Sequence, residues 1–374
     1  MMLGRRSRRR HPAAAPRTTL VVAVASVVVA CSAVACGTDR TGGSATAQGA
    51  APGPTTTTAA GGAPVPSRGC DHGPTAPVSL ERRELAVAEL VRWYLITVPA
   101  APAGATPSPM PLVLDFHGLT EGAVAHAQLT GMGTFAESHG FVAVLPQGSG
   151  DLARWAVGPG GDAAAPNADL DFVAALLDRV GDDVCIDTSR VYATGISNGA
   201  MLTSLIACRF ADRFAAVAPI AGATQFDGCA PSSPLPMLTI HGTADPILKF
   251  NGGVGDLEQL MSGVGGGAAS AEPSTTSVPV DLDGTGYPAN VRAWAERNRC
   301  DATPTDESIS PAVLHRTYRC PAGADVEMYI VEGGGHAWPG SELSRSLESL
   351  LGPTTFDIDA TDLVWSFFRR FRRA

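Results

Sequence analysis

Seven short apolar runs, set apart by glycine, proline or polar residues, constrain this chain more than any other feature. They are Leu90–Val98, Leu112–Phe116, Phe141–Leu145, Val191–Thr194, Phe214–Ile220, Met237–Ile240 and Val326–Val331. Near-continuous apolar runs of this kind suit strands buried on both faces of a parallel sheet. Helical patterns lie between them, at Asp169–Val180, Ala200–Phe210 and Val291–Arg299. Strands alternating with helices predict an α/β chain with a mostly parallel, doubly wound sheet. Functional groups then gather at the carboxyl ends of the strands.

The front of the chain is of another kind. Residues 4–17 are basic, and the apolar run from Thr18 to Ala35 ends in small residues. It is shorter than the ~20 residues a spanning helix needs, and its layout is that of an export signal. The sequences ending in Cys31 and Cys36 both resemble the lipobox of bacterial lipoproteins, so either cysteine is a candidate for lipidation. Residues 1–36 are therefore expected to be an export or lipoprotein signal. Residues 37–69, nearly all Gly, Ala, Thr and Pro, have little to bury and read as a disordered tether. That leaves a catalytic domain at 70–374, whose 305 residues suit one α/β domain. The expected location is extracytoplasmic, secreted or lipid-anchored at the outer face of the cell membrane.

Charge divides in the same place. The net charge of −9 includes six arginines and no acid in the first 36 residues; the remaining 21 basic and 36 acidic residues leave the rest at −15. So acidic a body opposes nucleic acid and other polyanions as partners. Outside the leader stand Cys70, Cys185, Cys208, Cys229, Cys300 and Cys320. An even number in an exported chain points to disulfides, with 15 connectivities open to six cysteines. Nearest-neighbour pairing gives Cys208–Cys229 and Cys300–Cys320, and leaves Cys70–Cys185. No CxxC pair or His/Cys cluster has zinc spacing, so neither metal nor cofactor is expected.

The chemistry concentrates at strand ends. Val191–Thr194 runs into Gly195-Ile196-Ser197-Asn198-Gly199, and a helix follows. This is G-x-S-x-G in the strand–turn–helix setting of a nucleophile elbow, with small residues where the sharp turn brings backbones together. Ser197 would stand at a helix N-terminus, where the Asn198 N–H can donate to a developing oxyanion. A serine needs a base and the base an orienting carboxylate, in the chain order Ser, Asp or Glu, His. Asp245 follows the strand Met237–Ile240, and His336 stands on the glycine-rich loop after Val326–Val331. Asp169 and Asp171 precede the serine and so fall in the wrong order. The second oxyanion donor is expected on the loop after Leu112–Phe116, as the Leu119 N–H, with His117 bracing that loop. His241 reads as a packed residue at a strand end.

Taken in order, the HG after a strand, Pro146–Gly148 followed by Trp155, RVYATGISNGAM, FAAVAPIAG, HGTADPIL and GGGHAWPG resemble the polyhydroxybutyrate depolymerase family of esterases. That family is similar to feruloyl and acetylxylan esterases, and the likeness covers about residues 70–370. It implies an α/β-hydrolase fold in a single catalytic domain, with Ser197, Asp245 and His336 as the triad. It further implies that Trp155 and Trp338 line the substrate cleft. The substrate is then a small ester or ester-substituted polymer, and contact with a membrane runs only through a lipid anchor. Two rivals are an acyltransferase on the same scaffold and a catalytically dead surface-binding lipoprotein.

Three features depart from this pattern or stand outside it. Ala200 stands where relatives often carry another glycine, which crowds the elbow. The long Gly/Ser-rich stretch Asn251–Asp283 reads as a lid or a disordered loop. The ending Phe367–Ala374 (FFRRFRRA) reads as the end of a final helix with arginines set against its dipole, or as a contact for an anionic membrane.

Overall fold

The computed structural model describes residues 62–73, 75–101, 108–158, 163–255 and 279–373. The leader, with Cys31 and Cys36, residues 37–61 of the expected tether, and the middle of the 251–283 stretch lie outside the described residues.

All seven apolar runs become strands of one sheet. In chain order the strands are β1 (Val78–Val87), β2 (Leu90–Val98), β3 (Met110–Phe116), β4 (Val142–Pro146), β5 (Ile186–Ile196), β6 (Ala216–Ile220), β7 (Met237–Gly242), β8 (Thr305–Ser310), β9 (Val313–Tyr318) and β10 (Val326–Val331). Their order across the sheet is β1-β2-β4-β3-β5-β6-β7-β10-β9-β8. From β4 to β10 every neighbour is parallel. The strands outside that block pair antiparallel. Successive crossovers step outward from β3 to β4 and then back past it to β5. The chain reverses its winding between β3 and β5, and the crevice at their carboxyl ends is where such sheets bind ligands.

Helices α1 (Gly122–Thr130), α2 (Met132–His139), α3 (Ala168–Asp183), α4 (Asn198–Arg209), α5 (Tyr287–Arg297), α6 (Glu342–Ser346), α7 (Glu348–Leu351) and α8 (Ala360–Phe368) complete the described elements. Two apolar layers form, one on each face. Phe172, Leu176, Leu202, Ile206 and Trp294, from α3, α4 and α5, pack on one side with Leu114 and Val217 of the sheet. Ala127, Met132, Val364, Trp365 and Phe368, from α1, α2 and α8, pack on the other with Val113 and Ile240. With both faces covered and a reversal at its centre, the architecture is the α/β-hydrolase fold.

Three disulfides tie the body together, Cys70–Cys185, Cys208–Cys229 and Cys300–Cys320, the nearest-neighbour set. The boundary of the tether moves. Residues 62–69, assigned to it on composition, are bound to the body. The Val65 N–H donates to Asp187, Ser67 Oγ to the Val184 carbonyl, and the Ser67 N–H to Ile186. Residues 62–69 therefore belong to the folded body, because backbone hydrogen bonds to β5 supply what these small side chains lack.

The chain's end settles onto the sheet. Phe367, Phe368 and Phe371 are buried, Arg370 pairs with Asp325 and Glu327, and Arg372 pairs with Asp187. These arginines serve acids of neighbouring strands rather than a membrane face. The described ends of the 251–283 stretch are also joined, since the Asn251 side chain donates to the Asp281 carbonyl and accepts its N–H.

Candidate active site

Strand β5 delivers Ser197 to α4 through a turn of unusual backbone. Ser197 has φ 56° and ψ −120°, a strained region for an L-residue, and it is a feature of the kind that persists at functional sites. Its flanking glycines are required by contact. A Cβ on Gly199 would lie 2.0 Å from the Phe116 carbonyl oxygen, and one on Gly195 would lie 2.5 Å from the same atom. Gly199→Ala is accordingly expected to destabilise the fold by ~3 kcal/mol, the upper part of the overpacking range, measured by denaturant unfolding. An unchanged midpoint would contradict this backbone contact.

Ala200 fits despite the crowding expected of it. It is fully buried, and Gly222 makes its room: a Cβ on Gly222 would stand 2.7 Å from the Ala200 Cβ and 2.4 Å from the Ser197 carbonyl oxygen.

The acid and the base arrive on two loops whose backbones touch. A Cβ on Gly242 would lie 2.2 Å from the Gly334 carbonyl oxygen, and the Ala244 N–H donates to that oxygen. On the other side, Gly335 and His336 donate their N–H groups to Pro353 and Leu351. This is why the loop before the histidine is glycine. His336 Nδ1 donates to Asp245 Oδ2 at 2.8 Å, which leaves Nε2 for a serine proton. Asp245 Oδ1 accepts the Ile247 and Leu248 N–H groups. Burial raises the Asp245 pKa, but the charge of His336 and the hydrogen bonds from His241 and His336 outweigh it. They hold the carboxyl far below the usual carboxylate range. Asp245 is thus ionised at neutral pH.

His241 is buried at the end of β7 and stacks on Tyr287, as a packed residue would. It does more than pack. Its Nε2 donates to the Leu248 carbonyl at 2.8 Å and lies 3.3 Å from Asp245 Oδ2. The sequence offers no signal for this beyond the shared loop.

The loop after β3 lies against the elbow, for a Cβ on Gly118 would sit 3.6 Å from the Ser197 Cβ. His117 braces it as expected. Its Nδ1 donates to the Gly118 carbonyl, its Nε2 accepts the Gly148 N–H, and burial lowers its pKa to about 4, so the ring is neutral. Among the described residues the Leu119 N–H has no acceptor. Asn198 contributes more than its N–H: its side chain accepts from the Trp155 N–H and donates to the Trp155 and Val157 carbonyls. Leu119, Asn198, Val157 and Phe226 line a cleft of about 540 Å³ beside the elbow.

Of the two tryptophans expected to line the cleft, Trp155 borders it and Trp338 does not. Trp338 is 1% exposed, its indole N–H donates to Thr361, and its ring packs against His126. Trp155 is among the residues that line the cleft, although its side chain is equally buried and its indole N–H donates to the His117 carbonyl. Asp169, the rejected rival acid, pairs with Arg92 and accepts the Ala156 N–H, so it too holds the cleft wall.

Comparisons with known proteins find esterases. Residues 95–255 match the family model described as esterase PHB depolymerase. NocK of Nocardia uniformis subsp. tsuyamanensis, named as an esterase, is 29% identical over 79% of this chain and 84% of its own. Poly(3-hydroxyalkanoate) depolymerase C of Paucimonas lemoignei is 29% identical over 62% of this chain and 56% of its own. Feruloyl esterase B of Piromyces equi is 28% identical over 61% of this chain and 39% of its own. The chain thus spans less than two thirds of the length of these last two. Among solved structures, an acetyl xylan esterase from Aspergillus awamori is 17% identical, with a TM-score of 0.46 over 72% of this chain and 98% of that one. The chain is an esterase, and its residues 95–255, which carry both Ser197 and Asp245, are those that match the PHB depolymerase family model.

Proposed function

We propose that the chain hydrolyses neutral carboxylic esters through Ser197, His336 and Asp245. The observation that carries this reading is the hydrogen bond from His336 to an ionised, buried Asp245, on a loop at the same sheet end as the strained Ser197. His336 Nε2 takes the Ser197 proton, and Ser197 Oγ attacks the ester carbonyl. The Leu119 and Asn198 N–H groups hold the oxyanion, each contributing ~10²–10³ in rate. The alcohol leaves with the proton from His336. Water, deprotonated by the same ring, then releases the acid and restores the serine.

Hydroxyalkanoate, feruloyl and acetyl esters are the substrate classes this reading favours. They are the esters named for the relatives, and a body at −15 outside the leader suits uncharged substrates. The N-terminal pattern and three disulfides support an exported protein, either secreted or lipid-anchored through Cys31 or Cys36.

A fluorophosphonate probe tests the nucleophile. Peptide mapping is expected to find the label on Ser197 and nowhere else, and a folded protein that stays unlabelled refutes the proposal. A panel of short-acyl, feruloyl, acetylated-sugar and hydroxybutyrate esters, run with and without an alcohol acceptor, separates hydrolysis from acyl transfer. No turnover of any ester would favour the binding-protein alternative.

A further inference from the structure

Next to the elbow, outside the triad, lies a second buried group of charges. Asp115 at the end of β3 and His126 in α1 are fully buried, and His126 Nε2 meets Asp115 Oδ1 at 2.7 Å. The other ring nitrogen meets Glu121 Oε1 at 3.2 Å, and Thr130 Oγ1 donates to Asp115 Oδ2 at 2.9 Å. Glu121 has one oxygen left, and that oxygen, Oε2, accepts the Gly118 N–H at 2.7 Å. Carboxylate, imidazole and carboxylate thus end on the backbone of the loop that carries Leu119.

We propose that Glu121 is a positioning residue of the oxyanion loop, holding the Gly118 N–H so that the Leu119 N–H remains the loop's donor to the reacting oxygen. This rests on the Ser197 mechanism proposed above.

The loop's other groups are already taken. The His117 carbonyl accepts from Trp155 Nε1, and the Gly118 carbonyl accepts from the His117 ring and the Glu121 N–H. Glu121 therefore completes a set in which the His117 and Gly118 carbonyls and the Gly118, Thr120 and Glu121 N–H groups are held, while the Leu119 N–H has no acceptor among the described residues. Thr120 follows in the positive-φ region at φ 67°, its N–H held by the carbonyls of Leu152 and Ala153. A loop so bent needs restraint on both sides of Leu119, and Glu121 supplies the inner one.

The charge on the clamp is matched. Burial alone would lower the His126 pKa, but Asp115 and Glu121 raise it to about 10, so the ring is a cation at neutral pH. That cation in turn lowers the pKa of Glu121. What reaches Gly118 is an ionised acceptor fixed at both oxygens, the kind of preorganisation that makes a catalytic donor effective. Trp338 closes the far side of the His126 ring, which gives that tryptophan its place in the site without touching substrate.

The test compares Glu121→Ala, Glu121→Asp and Glu121→Gln in the full chain, with fluorophosphonate labelling of the wild-type protein as a control. Glu121→Ala is expected to lower kcat by about 10–100-fold, part of what a whole oxyanion donor is worth, with KM within about twofold. Glu121→Asp keeps the charge beside His126 but withdraws the acceptor, and should lose kcat similarly even if the alanine variant folds poorly. Glu121→Gln keeps an acceptor for Gly118 and should restore most of the rate. Binding of an alkylboronic acid, whose tetrahedral adduct presents an oxygen to the same donors, should weaken in step with kcat. Normal kcat in folded Glu121→Ala or Glu121→Asp, or a glutamine variant as slow as the alanine one, overturns the positioning role. Wild-type protein unlabelled at Ser197 overturns the mechanism beneath it, and the role with it.

Discussion

Ser197→Ala is expected to lower kcat/KM by about 10⁴–10⁶-fold on every ester the protein hydrolyses, and His336→Ala by a similar factor. The two losses should coincide rather than add, because a serine without its base and a base without its serine both leave only binding and the oxyanion donors. Asp245→Asn should cost about 10⁴-fold by itself, since an amide at Oδ2 no longer selects the His336 tautomer with its proton on Nδ1. Its second effect is on Ile247 and Leu248, whose N–H groups require an acceptor at Oδ1. The amide oxygen can serve them only by turning its NH₂ toward His336, so the loop is kept at the expense of the base. Because Asp245 titrates far below neutrality, no activity should be lost to its protonation at mildly acidic pH. Measuring kcat/KM for the single and double variants decides the matter. Serine and alanine proteins of comparable activity would exclude Ser197, and an additive Ser197→Ala/His336→Ala double variant would exclude a shared proton transfer.

How much of this was legible in the sequence follows from the range of each signal. Strands buried on both faces write themselves as unbroken apolar runs, so β2 to β7 and β10 were readable. The strands that were not readable are β9 and the two edge strands, β1 and β8. Their exposed faces carry charge, as in Arg82, Glu84, Asp306 and Glu307, so no apolar run marks them. Ser197, Asp245 and His336, the proposed triad, stood out as candidates because each follows a readable strand in a fixed chain order.

Trp338 was misread because aromatic character does not say which way a ring points; burial decides that, and burial is a tertiary property. Glu121 and His126 were invisible for a related reason. Their partners, Gly118 and Asp115, are near in sequence, but α1 turns His126 inward between β3 and the α8 layer, and nothing local records that. The three disulfides came from proximity in sequence alone, and the last pair only by elimination.

That last pair should matter most to stability. Cys70–Cys185 spans a sequence separation of 115, against 21 and 20 for the other two. In the chain-entropy account, closing a loop of that length is worth about 5 kcal/mol, against about 3 kcal/mol for each short one. The enclosed segment contains β1 to β4, α1 to α3, Leu119 and Glu121, so the crosslink restrains the unfolded form of the whole oxyanion half of the molecule. The folded state has other means of keeping the join. Ser67 is bonded on both sides of it, to Val184 and Ile186, and a Cβ on Gly69 would lie 2.4 Å from the Val184 backbone. Replacing both cysteines with serine should therefore leave kcat/KM at 25 °C within about twofold while lowering the melting temperature by roughly 8–15 °C. The Cys208/Cys229 and Cys300/Cys320 double variants should each fall by less. Calorimetry on the three double variants provides the ranking. A melting temperature unchanged by loss of the 70–185 bridge, or lowered more by loss of either short one, would show that native-state contacts rather than the unfolded chain set the effect.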